Sequence, residues 1–395
     1  MERKNTRQIH VGTVAIGGDA PVSIQSMTAG YTYEIDTCVA EIHRLHAAGA
    51  DIVRVAVPQK SDTAALPEIL NQVDVPIVAD VHFHYKRALE SIAAGVHKIR
   101  LNPGNIDEES QVCKVIDACK DAGIPIRVGV NEGSVVERKD KQKRQAELAS
   151  FFADRHQGHL LAMMIAKLEE YVELFEKQNF HDICLSAKLM DARLVIDIYG
   201  EISKRFNYPL HLGVTHAGPR ETGSIRSIAA LGSLLSSGIG DTIRISYASD
   251  PVYEVEDAVE LLNSLHLRER IGAELIACPS CGRIQVDLFS LVEDVRKQLS
   301  NEIDLPIKVA VMGCVVNGPG EAEGADVAVF AGDRRGIIYV QGERIANVRE
   351  DEILERLLSE CKSLQTRVRN GETKLGEKAV KITPPSQLTV EGHAH

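Results

Sequence analysis

The amino-acid sequence predicts an α/β fold, a (β/α)8 TIM barrel followed by a small α+β domain. Three observations predict it. Short apolar, β-branched runs alternate eight times with amphipathic helical stretches over roughly the first 265 residues. Several helical stretches end in a glycine suited to capping, namely Gly49, Gly95, Gly123 and Gly238. After Leu265 this alternation stops and a different order of elements begins.

Strands that alternate with helices pair in parallel, and eight such units over this length indicate a closed barrel. The predicted strands are Val22–Thr28, Asp51–Val57, Pro76–Phe83, Val96–Asn102, Pro125–Val130, Asp182–Lys188, Pro209–Thr215 and Asp241–Ser246. The fifth connection, Glu137–Phe180, is long enough for two helices. A doubly wound open sheet is the alternative, but residues 25–30, after the first strand, lack the glycine fingerprint expected there.

The barrel is predicted to occupy residues 1–268 and the second domain residues 269–365. The second domain shows a helical pattern over Asp287–Leu299 and Glu350–Cys361. Its predicted strands are Ile307–Met312, Val327–Ala331 and a two-strand segment around Gly336–Val340. Residues 366–395 are polar and contain Pro384 and Pro385, so we expect a disordered tail there.

Composition excludes several classes of function. The formal net charge of −11 argues against a general nucleic-acid binder. No apolar run is long enough to span a membrane, and the polar N-terminus lacks the apolar core of a signal peptide. Eight cysteines without such a signal indicate reduced thiols in the cytoplasm.

Three cysteines and a glutamate indicate a metal centre. Cys278 and Cys281 directly flank a Pro-Ser pair. Cys314 lies in a glycine-rich segment, seven residues before Glu321. A structural zinc site normally has a second Cys-x-x-Cys pair, which is missing around Cys314. Three thiolates and one candidate oxygen ligand therefore favour an iron–sulfur centre over zinc, although zinc stays open.

Basic residues interrupt the predicted strands near the end of the barrel where catalytic groups lie. They are Arg54, Arg100, Arg127, Lys188 and Arg244. An arginine inside a parallel strand is costly unless it meets an anion, and these cations exceed the carboxylates nearby. The pattern predicts a pocket for a phosphate or diphosphate.

Asp80 and His82 alternate on the third predicted strand and therefore face the same side. They are suited to polarising a substrate hydroxyl. A hydrogen-bonded structural pair is the equal alternative.

These motifs resemble a known family. The segments Gln25–Thr28, Val78–Phe83, Lys98–Asn105, Gly129–Asn131, Gly238–Thr242, Cys278–Arg283 and Gly313–Glu321 carry the resemblance. Together they are similar to the 4-hydroxy-3-methylbut-2-en-1-yl diphosphate synthase family of the non-mevalonate isoprenoid pathway. The resemblance covers about residues 5–362, in the short two-domain bacterial form.

The resemblance implies a two-electron reductive ring opening of 2-C-methyl-D-erythritol 2,4-cyclodiphosphate, with loss of one oxygen as water. It implies a [4Fe–4S] cluster held by Cys278, Cys281, Cys314 and Glu321 in a domain related to sulfite and nitrite reductase modules. Glu321 would be the exchangeable ligand, and flavodoxin or ferredoxin the electron donor. The barrel arginines, Lys188, Asn102, Asn131 and Ser246 would hold the diphosphate.

Two positions depart from the family pattern, and the lesser is His84, where the family often has aspartate. The family usually has Thr-Glu-Ala-Gly after the seventh strand, whereas this chain has His216 in place of the glutamate. If that glutamate donates a proton in relatives, His216 would have to do so here.

The short connection between the two predicted domains favours a homodimer. It follows the last barrel helix, which ends at the face opposite the barrel mouth. About nine residues span at most ~30 Å, so each second domain would more easily cap its partner's barrel. Two other functions stay open: another reductase that binds a phosphate ligand and carries a sulfite-reductase-like module, and a zinc-stabilised binding protein.

Overall fold

The computed structural model describes residues 3–82, 84–102, 106, 108–132, 157–314, 318–332 and 334–376. For residues 319 and 321 the description covers the backbone alone. The chain divides into two compact units, Met1–Arg268 and Glu269–His395. No helix among the described residues has the length and apolar character needed to cross a membrane.

The first unit is a parallel barrel, which confirms the predicted fold class. Its strands are β3 (Ser23–Met27), β4 (Ile52–Ala56), β5 (Ile77–Asp80), β6 (Lys98–Leu101), β7 (Ile126–Asn131), β8 (Ile183–Lys188), β9 (His211–Leu212) and β10 (Thr242–Ile243). Neighbours pair in parallel in the order β8-β7-β6-β5-β4-β3-β10-β9. Each observed strand lies within its predicted strand, except that β7 extends one residue further, to Asn131, and β9 and β10 are shorter than expected.

Helices cover the outside of this barrel. In the described ranges they are α1 (Ile35–Ala47), α2 (Lys60–Leu70), α3 (Tyr85–Ala94), α4 (Glu109–Ala122), α5 (Gly158–Lys177), α6 (Ala192–Arg205), α7 (Arg220–Ser236) and α8 (Pro251–Ser264). Gly95 and Gly123 end α3 and α4 in the left-handed conformation, as predicted. The fifth connection contains α5, and the other helix expected there would fall in residues 133–156, outside the described part.

A tyrosine hydroxyl helps to close the barrel between β8 and β9. These strands share one isolated bridge, Leu185 to Leu210. Next to it, the hydroxyl of Tyr199 accepts a hydrogen bond from the amide of Ala187 at 3.0 Å and donates to the carbonyl of His211 at 2.5 Å. One buried side chain from α6 thus satisfies two backbone groups that a regular ladder would have paired.

The N-terminal end of the barrel is covered by a hairpin that the sequence analysis missed. Strands β1 (Ile9–Val11) and β2 (Val14–Ile16) pair antiparallel. Their buried side chains pack with Ile52, Val78 and Cys184 in one apolar cluster. The hairpin therefore forms a hydrophobic plug at the bottom of the barrel.

The second unit contains a five-stranded mixed sheet in sequence order. Its strands are β11 (Glu274–Ala277), β12 (Lys308–Met312), β13 (Val327–Gly332), β14 (Arg335–Val340) and β15 (Glu343–Arg349). The first three run parallel and the last three antiparallel. The described helices are α9 (Leu288–Glu302), α10 (Gly318–Glu321) and α11 (Ile353–Arg369), and α9 and α11 pack their apolar faces with the sheet.

The predicted start of the disordered tail at residue 366 is wrong. Helix α11 continues to Arg369 because Leu364 and Gln365 are buried in the last turns. The chain beyond it is also held, since Gln341 Nε2 donates to the carbonyl of Lys374 at 2.9 Å and the amide of Gly376 donates to Asp326 Oδ1 at 2.8 Å. Residues 377–395 lie outside the described part.

Replacing Tyr199 with phenylalanine should loosen the seam between β8 and β9. The substitution keeps the ring but leaves the Ala187 amide and the His211 carbonyl without their partner. Because each buried unpaired group costs ~1–3 kcal/mol, we expect the free energy of unfolding in urea to fall by about 2–4 kcal/mol. Tyr33→Phe, at an exposed ring, is the control and should change stability little. Equal stability of the two variants would contradict a sealing role for Tyr199.

Candidate active site

The inside of the barrel is lined by polar side chains in layers. Side chains on the outer side of the strands, such as Ile99, Leu101 and Val128, join the apolar core. The strand register places the inward side chains in layers of four, contributed by alternate strands. The main apolar core therefore lies outside the sheet, and many polar side chains lie inside it.

Five layers can be named from the bottom upward. The floor layers contain Ile52, Lys98, Cys184 and Thr242, then Gln25, Val78, Arg127 and His211. The arginine layer contains Arg54, Arg100, Ser186 and Arg244. The mouth layers contain Met27, Asp80, Gly129 and Gly213, then Ala56, Asn102, Lys188 and Ser246. The cations predicted from sequence thus meet inside one barrel.

Asp80 is the carboxylate around which the arginine layer is arranged. Its Oδ1 lies 3.1 Å from Arg100 Nη1, and its Oδ2 lies 3.6 Å from Arg54 Nε. His82 Nε2 is 3.9 Å from the same Oδ2. Burial alone would raise the pKa of Asp80, but Arg54, Arg100 and His82 outweigh it and lower the pKa to about 2.

Positive charge exceeds negative charge at this level. Arg54, Arg100, Arg127 and Lys188 are buried, and among the described residues the carboxylates facing them are Asp80 and Glu254. Glu254 Oε2 lies 3.7 Å from Arg244 Nη2. Burial, followed by the neighbouring cations, lowers the pKa of Lys188 well below its ordinary value. Such a cluster is electrostatically unfavourable until an anion enters it.

The guanidinium groups point their donors at weak acceptors. Arg54 places Nη2 2.9 Å and Nε 3.1 Å from the sulfur of Met27, and Arg244 Nη1 lies 3.5 Å from the same atom. A thioether is a poor acceptor for a charged donor. These N–H groups are available to a better partner such as a phosphate oxygen.

Two glycines make room where the cations converge. A Cβ atom at Gly129 would lie 3.2 Å from Arg127 Nη2 and 3.7 Å from Arg100 Nε. A Cβ atom at Gly213 would lie 2.8 Å from Lys188 Nζ. Side chains at these positions would collide with the cations, so the glycines leave room for the Arg127 and Lys188 side chains.

The remaining predicted barrel residues lie around the mouth. Asn102 accepts a hydrogen bond from the Tyr171 hydroxyl at 3.4 Å, and Ser246 Oγ donates to the carbonyl of Val214 at 3.0 Å. Asn131 ends β7 and is half-buried. His216 is exposed and has a left-handed backbone with φ of 53°.

The cysteine motif lies at the ends of two neighbouring strands in the second unit. Cys278 follows β11 and Cys314 follows β12, and these strands pair in parallel through Ala277 and Val311. The amide of Gly313 donates a hydrogen bond to Cys278 Sγ at 3.2 Å. Cys281 is exposed on the intervening turn. Strand order, not only sequence spacing, therefore brings the two loops together.

The donor set fits a cluster in chemical type. Three thiolates and an amide that already donates to one sulfur are what an iron–sulfur site requires. The described side chains of His, Cys, Asp and Glu do not form a group of three close enough to hold a metal ion. The Glu321 side chain, predicted as the fourth ligand, lies outside the described part, although its backbone belongs to α10.

Lys98, His211 and Gln25 are interior polar residues that the sequence analysis did not single out. All three are buried. Lys98 could have been found from the two-residue period of a strand, because it precedes Arg100 and Asn102 on the same face.

Comparison with known proteins identifies the family. The profile of the GcpE TIM-barrel domain matches residues 6–259, and that of the GcpE protein C-terminal domain matches residues 274–363. The chain belongs to the GcpE family. Its two matched segments correspond to the barrel and to the sheet that carries the cysteines.

Several relatives are similar to this chain over most of their length. The 4-hydroxy-3-methylbut-2-en-1-yl diphosphate synthase (flavodoxin) 2 of Streptomyces coelicolor is 44% identical over 96% of this chain and 95% of its own. The synthases (flavodoxin) of Desulfotalea psychrophila and Corynebacterium diphtheriae are both 46% identical. They cover 92% and 91% of this chain and 97% and 88% of their own.

Replacing Asp80 with asparagine should destabilise the barrel strongly. Arg54 and Arg100 would stay buried without their carboxylate, which costs ~3–5 kcal/mol. Because the folded-state pKa of Asp80 lies below its ordinary value of 3.8, its contribution is complete above about pH 4 and disappears as the pH falls towards 2. Urea unfolding of wild type and variant between pH 7 and pH 2 measures this difference.

Asp250→Asn is the matched control for Asp80→Asn. Asp250 pairs with Arg44 on the surface and caps α8, and asparagine preserves the cap. We expect a loss below about 1 kcal/mol. If the Asp80 variant lost no more than this control, Asp80 would not be the centre of the cation cluster.

Proposed function

We propose that this chain is an iron–sulfur oxidoreductase that opens 2-C-methyl-D-erythritol 2,4-cyclodiphosphate reductively to 4-hydroxy-3-methylbut-2-enyl diphosphate. The observation that carries the proposal is the excess of buried cations around Gly129 and Gly213. A diphosphate has the charge and the oxygen atoms that this cluster lacks. Membership of the GcpE family and the names of its relatives support the same reaction.

The barrel residues bind and orient the substrate. Arg54, Arg100, Arg127, Lys188 and Arg244 would neutralise the diphosphate, and their burial strengthens each interaction compared with water. Asn102, Asn131 and Ser246 would add neutral hydrogen bonds at the mouth. Because the cations are already positioned by Asp80 and by the glycines, little reorganisation is needed when the substrate enters.

Two residues near the mouth can move protons. His82 Nε2 lies 3.9 Å from Oδ2 of Asp80, whose low pKa keeps it ionised. His216 is exposed on the loop after β9 and is the candidate in place of the glutamate usual at this position. Either imidazole can donate the proton that the departing oxygen needs to leave as water.

Cys278, Cys281, Cys314 and Glu321 would hold a [4Fe–4S] cluster, with flavodoxin as the electron donor named in the relatives. When bound, such a cluster supplies the substrate with electrons one at a time. The Gly313 amide would stabilise negative charge on Cys278. The exposed turn that carries Cys281 would have to approach the other two sulfurs to complete the set.

The arrangement of the linker supports a homodimer with a shared active site. Arg268, the last residue of the barrel unit, binds both carboxylate oxygens of Asp51 at 3.1 Å. Asp51 immediately precedes β4, so the linker is tied to the bottom of the barrel. Residues 269–273 span at most ~18 Å, so a partner's mouth is the easier one for the cysteine-bearing unit to cap.

Glu321→Gln should keep the cluster and lose most of the turnover. The three thiolates remain, while the carboxylate ligand changes to a neutral amide. The protein is purified without oxygen, and iron content, absorption near 400 nm and reduction of the cyclic diphosphate by flavodoxin are measured together. Wild type should contain about four irons per chain. A colourless zinc protein without reductase activity would overturn the proposed function, and full turnover of the variant would remove Glu321 from it.

Mixing two inactive variants tests the shared site. Arg244→Ala damages the diphosphate pocket and Cys281→Ser damages the cluster, so a heterodimer would contain one composite site with both parts intact. We expect reductase activity to return to about a quarter of wild type after subunit exchange. Mixing Arg244→Ala with Arg127→Ala is the control, because both defects lie in the barrel and should not complement. Heterodimers without activity would show that each chain builds its own site.

A further inference from the structure

The floor layers contain polar groups that have no partner. Lys98 Nζ, the Nε and Nη1 of Arg127 and both ring nitrogens of His211 are buried and make no hydrogen bond. The amide of Gln25 is in the same state. Lys98 and His211 are 0% exposed and Arg127 is 1% exposed. Unsatisfied buried groups of this number are rare in native proteins, and together they indicate an unidentified ligand.

The ligand must carry negative charge. Lys98 and Arg127 are cations, and the eight side chains of the floor layers include no carboxylate. The carboxylate above them, Asp80, is already shared by Arg54 and Arg100. Water could satisfy the donors, but it would leave two positive charges uncompensated in a buried space.

The ligand must also be small. Below the floor layers, the plug formed by β1 and β2 closes the barrel with Ile9, Val11 and Ile16. Above them lies the arginine layer. Successive inward positions along a strand are only ~6.6 Å apart, so a monatomic ion fits between these boundaries better than a phosphate. A spherical ion also accepts donors from any direction, which suits an ammonium, a guanidinium and an imidazole on different strands.

We propose that the floor layers bind one small inorganic anion of the halide class, held by Lys98, Arg127 and His211 with the Gln25 amide. This site is separate from the diphosphate site, and Arg127 connects the two. Its Nη2 and Nε lie 3.2 and 3.7 Å from where a Cβ atom of residue 129 would be, and its Nε and Nη1 make no hydrogen bond. A halide in the floor would therefore fix the guanidinium that also faces the substrate.

Crystallography of the wild-type protein tests the site directly. The protein is expressed, purified and crystallised with bromide as the only halide, so that the enclosed site can fill before the barrel closes. We expect an anomalous bromide peak in contact with Lys98 and His211. A peak confined to the mouth layers, or ordered water without anomalous signal between Lys98 and His211, would overturn the proposal.

Thermal unfolding tests whether the anion binds in solution. Adding bromide in place of gluconate at constant ionic strength should raise the Tm of wild type with the logarithm of the bromide concentration above Kd, by about 3 °C at ~100-fold Kd. Lys98→Met should lose this rise in Tm, because it removes the ammonium and keeps the apolar stem. Lys204→Met, at an exposed lysine of α6, should respond like wild type.

The outcomes separate this site from the proposed function. Lys98→Met retains every cation of the arginine and mouth layers, so halide binding at the diphosphate pocket would shift its Tm as much as that of wild type. Such equal shifts would overturn the floor site. If Lys98→Met does not fold, the wild-type crystals decide alone. None of these measurements depends on turnover, so they test the floor site independently of the reductase activity.

Discussion

Positive charge buried inside a parallel barrel is the constraint on which this structure depends. Parallel strands normally have apolar residues on both faces, because both are covered. Here the inward face carries arginine, lysine and histidine, whereas the outward face remains apolar and packs with the helices. Most of the apolar packing is therefore on the outer side of the sheet, apart from the cluster that includes Ile52 and Val78 at the bottom of the barrel. Asp80 offsets part of the inward charge, and the remaining charge makes the interior selective for anions.

Much of the barrel could be predicted because its signals are local. Apolar runs and capping glycines mark each strand and helix, and the two-residue period of a strand indicates which arginines share a face. The depth of each side chain inside the barrel could not be predicted in this way, because it depends on the register between strands. Lys98 was thus visible in the sequence, but its place beneath the arginine layer was not. The short strands β1 and β2 contain too few residues for a periodic signal.

The cysteine site shows the same limit. Spacing identified Cys278, Cys281 and Cys314 as one candidate donor set. Only the pairing of β11 with β12 shows that Cys278 and Cys314 leave adjacent strands, with the Gly313 amide directed at a sulfur. A two-strand segment was predicted around Gly336–Val340, but the bounds of β15 were not, because its exposed edge position permits a polar sequence. The role of Tyr199 depends on a gap between two strands, which no pattern along the chain could reveal.

The hydrophobic plug under the barrel closes its lower end, which leaves the upper end as the route into the interior. Ile9, Val11 and Ile16 close the lower end, so under the proposed function the substrate and the product would pass through the same upper opening in opposite directions. Product that has not left would then block the next substrate. The turnover rate would then depend on passage through that opening, and a compound bound there would block both substrate entry and product release.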